Sequence, residues 1–504
     1  MLEHNDSVST FSFDISTIKI PVTPPDILLI SAPLTVTNVP FMAGAALKSI
    51  AAKAGYSCST IDLNRLTLQW VQSKQLKHRY TDITNFFFAY STVDNCKHEI
   101  DHWISSVVDV IKKINPKILG ISVFTDYSRS ATKLIAEQVK KQCPHIKILL
   151  GGHGISKGQK YGVLDAISFG EKLRRDGIVD HYIQGDAEHS FYEFLKNNLD
   201  FPGINNSSWQ QLDNTSMSEL PYPDYSDYNW NLYPERAIGI TGSRGCVREC
   251  TFCDYIVFHK KFTWRSAENI FEEMLQQKNN HNISYFQFSD SLINGNMKEF
   301  RKLIELLANY NQQHPDDKLY WDSYFILRPK IQFKEELWKL VADSGCKSIF
   351  IGVETFSDRV RAHMDKGFNN EDLEFGLEMA TKYNVPLLLM LIVGYVTETD
   401  EDFEQNLTWL TQHQHYKNTF NLYVANTMVL LPDSWLDQHK DNLKITIADP
   451  ENRESWTNHE IGNTLDVRLH RRSRLLQHAR DLNYSVIDEF NLHAILENIL
   501  ISTT

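Results

Sequence analysis

Three cysteines, Cys246, Cys250 and Cys253, stand within the segment SRGCVRECTFCDY. A CxxxCxxC spacing on a short loop lets three thiolates curl around one soft metal centre and leaves a fourth position open. Two chemistries use such donors. A structural zinc site needs four protein ligands in a closed tetrahedron, and His259 is the nearby group that would complete it. An iron–sulfur cluster fits three thiolates better, since they hold three irons and leave the fourth to an exogenous ligand. The other cysteines, Cys58, Cys96, Cys143 and Cys346, are scattered, and an odd total of seven in 504 residues does not make a disulfide framework.

The cysteines follow AIGITGS, which reads as a strand, so they fall on the loop leaving it. From Arg236 onward strand and helix patterns alternate: SAENIFEEMLQQ after that first strand, then ISYFQFSD and MKEFRKLIELLANY, LYWDSYFIL and KEELWKLVADSG, KSIFIGVE and NEDLEFGLEMATKY, PLLLMLIVG and DEDFEQNLTWLTQH, and a sixth strand near FNLYVANTMVLL. Six such units predict a partial (β/α)6 TIM-type barrel over residues 236–448, with its site at the C-terminal ends of the strands. The C-terminal segment, 449–504, is rich in charge and helix formers and is expected to be helical, RLHRRSRLLQHARDL being its clearest amphipathic stretch. Upstream, DILLISAP, KILGISVF and IKILLGG are apolar runs without polar alternation, separated by helical patterns. They predict a doubly wound, Rossmann-like α/β domain over residues 26–200, with a parallel sheet covered on both faces. Residues 1–25 read as an N-terminal extension, and the aromatic-rich stretch 201–235 as a linker pinned by its aromatics.

At 504 residues the chain is too long for a single small module, and two to four domains are expected. Hydrophobic residues make up 42% and charged residues 23%, enough apolar mass for large cores, which excludes wholesale disorder. Lys plus Arg number 51 against 63 Asp plus Glu, for a net charge of -12, which disfavours nucleic acid as the main partner. The acidic N-terminus lacks a basic-then-apolar run, and the longest strongly apolar run, Pro386–Val393, is far short of a membrane span. The expected location is cytoplasmic, with no membrane partner.

CxxxCxxC with an aromatic residue, here Phe252, before its last cysteine resembles the hallmark of the radical S-adenosylmethionine (SAM) superfamily. The resemblance implies a [4Fe-4S] cluster on Cys246, Cys250 and Cys253 whose open iron is chelated by SAM, one-electron cleavage of SAM to a 5'-deoxyadenosyl radical, and an electron donor such as flavodoxin or ferredoxin. It implies SAM contacts from Ser289, Asp290 and Ser291 after the second barrel strand, where the family's usual Gly-Gly-Glu is absent. Arg328 after the third strand would face a carboxylate. In GVETFSDRVRAHMDKGF, Gly352 and Glu354 match the fourth-strand contact, and the backbone of Met390, Leu391 and Ile392 would hold adenine. Gly394, Glu398 and Thr399 match the fifth-strand exit, with Val396 in place of a proline.

The α/β domain ahead of this barrel resembles the cobalamin-binding domain of the B12-dependent branch. Gly151, Gly152 and Gly154 form the close-approach loop after a strand, and IQGDAEHSFYEFL resembles that branch's Gly-Glu-Gly-Glu segment. No DxHxxG is present to supply a lower cobalt ligand, and no GxGxxG opens the first helix for a nicotinamide. The branch implies a C-methyltransferase acting on an unactivated carbon of a small-molecule or peptide substrate. The alternatives are a radical SAM oxidoreductase, cyclase or rearrangement enzyme and, in another class, a zinc-stabilised interaction protein.

Overall fold

The structure, a computed structural model, describes residues 13 to 488 apart from 14–17, 19, 36, 74–75, 77–79, 90–95, 157–158, 161–162, 165–166, 207–208 and 450–451. Most of the N-terminal extension and the last sixteen residues lie outside the described residues. Two compact units result, one of residues 1–158, 165–211 and 220–235, the other of 159–164, 212–219 and 236–504.

The first unit is built on five parallel strands, β1 (Ile27–Ser31), β2 (Cys58–Ile61), β3 (Ile118–Ser122), β4 (Lys147–Gly151) and β5 (His181–Tyr182), in the order β2-β1-β3-β4-β5. The order reverses between β1 and β3, and in open α/β sheets ligands bind outside the carboxyl ends of the strands at such a switch point. β1 is buried along its whole length, as a strand covered on both faces must be. Sequence reasoning passes over β2, because Cys-Ser-Thr-Ile lacks an apolar run; it is an edge strand. The expected linker is divided between the units. Its later part packs into the first: Tyr225 is fully buried, the Tyr228 hydroxyl donates to the Phe41 carbonyl at 2.7 Å, and the Tyr233 hydroxyl donates to Asp62 at 2.7 Å.

The second unit holds seven parallel strands, β6 (Ala237–Ile240), β7 (Tyr285–Phe288), β8 (Tyr320–Phe325), β9 (Cys346–Glu354), β10 (Leu387–Val393), β11 (Phe420–Thr427) and β12 (Val486–Asp488). They lie in chain order from β6 to β12, so the barrel is partial and keeps two edges. The six expected strands are all present. β12 is an addition from the segment expected to be helical, of which Trp456–Asn458 also pairs with Ile445–Ile447, at the end of the expected barrel, ahead of the helix Leu465–Asp481. Three residues of β-branched and acidic character are too short to show as a strand pattern, and only pairing with β11 makes them one. Among the described residues no helix is long and apolar enough to cross a membrane.

The helix Leu465–Asp481 is fixed by three buried arginines. Arg468 lies over the Trp456 ring at 3.7 Å and donates to main-chain carbonyls of Glu454 and Trp456. Arg472 pairs with Asp488 of β12. Arg471 donates to Glu398 at 3.1 Å and to Asp400 at 2.7 Å, and both Arg471 and Glu398 are almost wholly buried. Glu398 ends the turn after β10, and Asn463 donates to the Tyr395 carbonyl of the same turn at 2.9 Å. At Gly394 (φ +80°) a Cβ would lie 2.3 Å from the Arg468 side chain, so glycine is needed both for the turn and for the close approach of this helix.

Removing one member of a buried ion pair strands the other in a low-dielectric interior, at about 3–5 kcal/mol. Arg471→Met is therefore expected to lower unfolding free energy by that order in urea titrations. Adding Glu398→Gln to it should recover part of the loss, because the uncompensated carboxylate is then gone.

Candidate active site

The cysteine loop, residues 245–262, is closed at its base by an antiparallel ribbon of Ser243–Arg244 with Thr263–Trp264. Gly245 turns into the loop with φ +84°, where a Cβ would lie 2.2 Å from the Lys261 carbonyl oxygen. Beneath the ribbon, Asp290 accepts hydrogen bonds from the Gly242 amide at 2.8 Å and from the Ser243 hydroxyl. Burial pushes the Asp290 carboxyl up to about 7, against the opposing pull of those donors.

The body of the loop rests on the exits of three other strands. Thr251, between Cys250 and Cys253, donates its amide to the Met364 carbonyl at 3.3 Å, and its hydroxyl lies 2.6 Å from that of Tyr395. Tyr395, fully buried after β10, also meets His363 Nδ1 at 2.9 Å. Leu436, beyond β11, donates its amide to the Thr251 carbonyl at 3.0 Å. Cys250 Sγ faces the Asp365 carbonyl at 3.9 Å. Phe252 packs on the apolar cluster of Val360, Met364, Tyr395 and Val396, as does Ile392 from β10.

Two main-chain amides point at sulfur, Arg248 N at Cys246 Sγ and Tyr255 N at Cys253 Sγ, each at 3.4 Å. Burial raises the pKa of all three thiols, that of Cys253 to about 11, so thiolates here need positive charge close by. Lys366 supplies some of it, its field opposing the rise at Cys246 and Cys250. Its ammonium sits 2.8 Å from Glu354 Oε1 and 5.9 Å from the Phe252 ring centroid. Glu354, the last residue of β9, takes φ +65°, an uncommon conformation for glutamate. Gly352 makes room for the pair, since a Cβ there would lie 2.3 Å from Glu354 Oε1 and 3.0 Å from Lys366 Nζ.

Among the described residues no three His, Cys, Asp or Glu side chains gather as a single metal ion requires. Zinc needs its donors about 2.0–2.3 Å from one centre. A multi-iron cluster takes each cysteine at a separate iron, and three thiols on one loop with amides aimed at two of them suit it. His259 is stacked on Tyr255, ring centroids 4.7 Å apart.

The other sequence-derived residues divide. Cys246, Cys250, Cys253, Phe252, Gly352, Glu354 and Ile392 are brought together around the loop. Leu391 is buried, while Met390 and Ile392 project from the opposite, half-open face of β10. Asp290, expected at the SAM amino group, lies under the loop with both oxygens engaged by protein donors. Of its neighbours, Ser289 is exposed with its hydroxyl 2.9 Å from that of Thr241, and Ser291 is half-buried. Arg328, expected to face a carboxylate, donates to the Asn294 and Gly295 carbonyls at 2.8 and 3.0 Å. Glu354 is engaged by Lys366. In the first unit, Gly152 (φ +98°) and Gly154 would each drive a Cβ onto backbone of the loop after β3, 2.4 Å from the Val123 oxygen and 2.5 Å from the Thr125 oxygen. Gly151 closes β4, and the His153 ring lies edge-on to Trp209. Sequence reasoning missed Thr251, His363 and Tyr395 as supports of the loop; a hydroxyl residue between two motif cysteines was the available signal.

Residues 240–410 match the profile of the radical SAM superfamily. The second unit carries a radical SAM domain. Its match spans the cysteine loop, β7 to β10 and the turn bearing Lys366. An uncharacterized methyltransferase of Pyrococcus horikoshii is 22% identical over 326 residues, 61% of this chain and 66% of that one. The bacteriochlorophyllide d C-12(1)-methyltransferase of Chlorobaculum tepidum is 24% identical over 247 residues, 48% of this chain and 52% of that one. The chain thus spans about half to two thirds of the length of these relatives. Two solved structures share the fold beyond the radical SAM domain. The radical SAM methyltransferase TsrM of Kitasatospora setae, solved with cobalamin and a [4Fe-4S] cluster, has a TM-score of 0.58 at 13% identity, covering 85% of this chain and 84% of that one. The cobalamin-dependent radical SAM enzyme OxsB, solved with aqua-cobalamin and SAM, has a TM-score of 0.54 at 17% identity, covering 92% of this chain and 62% of that one.

Asp290 ties the base of the cysteine loop to pH. With its pKa raised from 3.8 to about 7, the folded protein holds a proton that the unfolded chain has released over that interval. The stabilisation is full below pH 4 and is lost as pH rises through 7. Asp290→Asn, which does not titrate, should therefore lack this decline, so that its stability rises relative to that of wild type as pH goes from 5 to 8, measured by urea unfolding at each pH.

Proposed function

We propose that the chain is a cobalamin-dependent radical SAM C-methyltransferase, located in the cytoplasm, that acts on an unactivated carbon of a small-molecule or peptide substrate. The observation that carries this reading is the pairing of two features in one chain: three thiols on the loop after the first strand of a radical SAM domain, and a separate parallel sheet of order β2-β1-β3-β4-β5 with a switch point at its carboxyl edge. The relatives named methyltransferases, and the likeness to TsrM and OxsB over most of the chain, support it. When bound, the cluster and SAM supply a 5'-deoxyadenosyl radical and the corrinoid supplies the methyl group.

The chain's own residues have the remaining tasks. Cys246, Cys250 and Cys253 hold the cluster, with the Arg248 and Tyr255 amides donating to sulfur and Lys366 offsetting thiolate charge. Glu354 and the exposed Ser289 would contact SAM, and the β10 backbone from Met390 to Ile392 would hold adenine. Phe252 and Ile392 exclude water beside the loop, which strengthens every charge interaction within it. A flavodoxin- or ferredoxin-like protein delivers the electron.

Anaerobic reconstitution with iron, sulfide, hydroxocobalamin and SAM tests this reading. A brown cluster band, corrinoid bands, 5'-deoxyadenosine and S-adenosylhomocysteine are expected together. Deoxyadenosine without any methylated product would mean oxidoreductase, cyclase or rearrangement chemistry, and a colourless zinc protein would mean the interaction module. Cys246→Ala, Cys250→Ala and Cys253→Ala should each abolish deoxyadenosine formation and lower bound iron, while Cys58→Ala and Cys143→Ala leave both unchanged. Glu354→Gln should raise the SAM dissociation constant about 10-fold, the value of one charge-assisted contact, with iron content near wild type.

A further inference from the structure

The carboxyl edge of the first unit's sheet carries an aromatic residue that its own fold does not use. Ser122 ends β3, Val123 is fully buried, and the next residue, Phe124, is 65% exposed. Tyr127, three residues on, is 54% exposed. A phenylalanine left mostly in water forgoes much of the stabilisation that its burial would give. Exposure of one side chain is ordinary, but this one stands on a backbone held unusually firmly.

The Val123 amide donates to the Gly151 carbonyl at 2.8 Å, and the Gly154 amide donates to the Val123 carbonyl at 2.8 Å. The Ala32 amide, from the loop after β1, donates to the Ser122 carbonyl at 2.8 Å. Gly152 and Gly154 let the two loops touch backbone to backbone, where any side chain would collide. Buried Arg129 ties the second loop down, donating to the Gly154 carbonyl at 2.7 Å and to the Ser156 carbonyl at 2.9 Å. The glycines therefore serve to fix the platform from which Phe124 projects, at the strand next to the switch point.

We infer that Phe124 is the apolar contact for the corrin ring of cobalamin bound at this edge. The inference rests on the corrinoid part of the proposed function and names the residue on which binding depends. A broad macrocycle with an apolar face gains from a rigid aromatic support, because little side-chain freedom is lost on binding.

The test uses the full-length protein, titrated anaerobically with hydroxocobalamin, with retained corrinoid measured by absorbance after gel filtration. Wild type is expected to retain it. Phe124→Ala should raise the dissociation constant about 10- to 100-fold, with circular dichroism and reconstituted iron content unchanged. Phe124→Leu should restore most of the affinity, and Ile331→Ala, which removes an exposed apolar side chain in the second unit, should have no effect. Wild-type affinity in Phe124→Ala would overturn the inference while leaving cobalamin binding intact. Failure of the wild type to retain any corrinoid, or retention of flavin mononucleotide in its place, would overturn the cofactor assignment and the inference with it.

Discussion

A loop that must present three thiols to one inorganic centre cannot be held by its own secondary structure. Residues 245–262 contain only one turn of helix, Tyr255–Phe258. The deciding contact is the short hydrogen bond between Thr251 and Tyr395. It joins the middle of the cysteine loop to a fully buried phenol, which in turn bonds to His363. With the ribbon and Asp290 fixing the base, the loop is clamped at both ends and in the middle. The Lys366–Glu354 pair beside it is positioned by the end of β9 and the turn that follows.

The clamp draws on the C-terminal segment, far along the chain from the cysteines. Tyr395 sits on the turn after β10, and Asn463, Arg468 and Arg471 hold that turn through its main chain, its glycine and its glutamate. The C-terminal segment thus acts on the cysteines at one remove, by fixing the residue that fixes Thr251. Buried arginines bonded chiefly to carbonyls and carboxylates suit this task, because they define a single docking register for the helix and tolerate no slippage.

Much of this was legible in the sequence, and the limits have physical causes. The βα rhythm gave all six barrel strands because apolar runs and helical periods are local signals. The cysteine motif located the loop because its spacing is itself the chemistry. Cys58–Ile61 and Val486–Asp488 escaped notice because each is a short edge strand made by pairing rather than by pattern. The roles of Asp290 and Arg328 were not legible for a different reason: a carboxylate or guanidinium at a strand exit looks the same in sequence whether it meets a ligand or the backbone. In the structure both meet backbone or a neighbouring hydroxyl. In the sequence Gly152 and Gly154 read as a close-approach loop for a cofactor, and only the three-dimensional contact shows that they hold two loops together.

The separation along the chain between the cysteines and their supports has a consequence for biosynthesis. Thr251 waits for a partner 144 residues downstream, and that partner waits for the helix Leu465–Asp481. While the chain leaves the ribosome, the thiols emerge long before the scaffold that arranges them, and domains fold as units only once complete. Iron and sulfide loaded at that stage would meet an unshaped loop. The loop that carries the three thiols is therefore shaped only once the helix Leu465–Asp481 has docked on the turn that bears Tyr395.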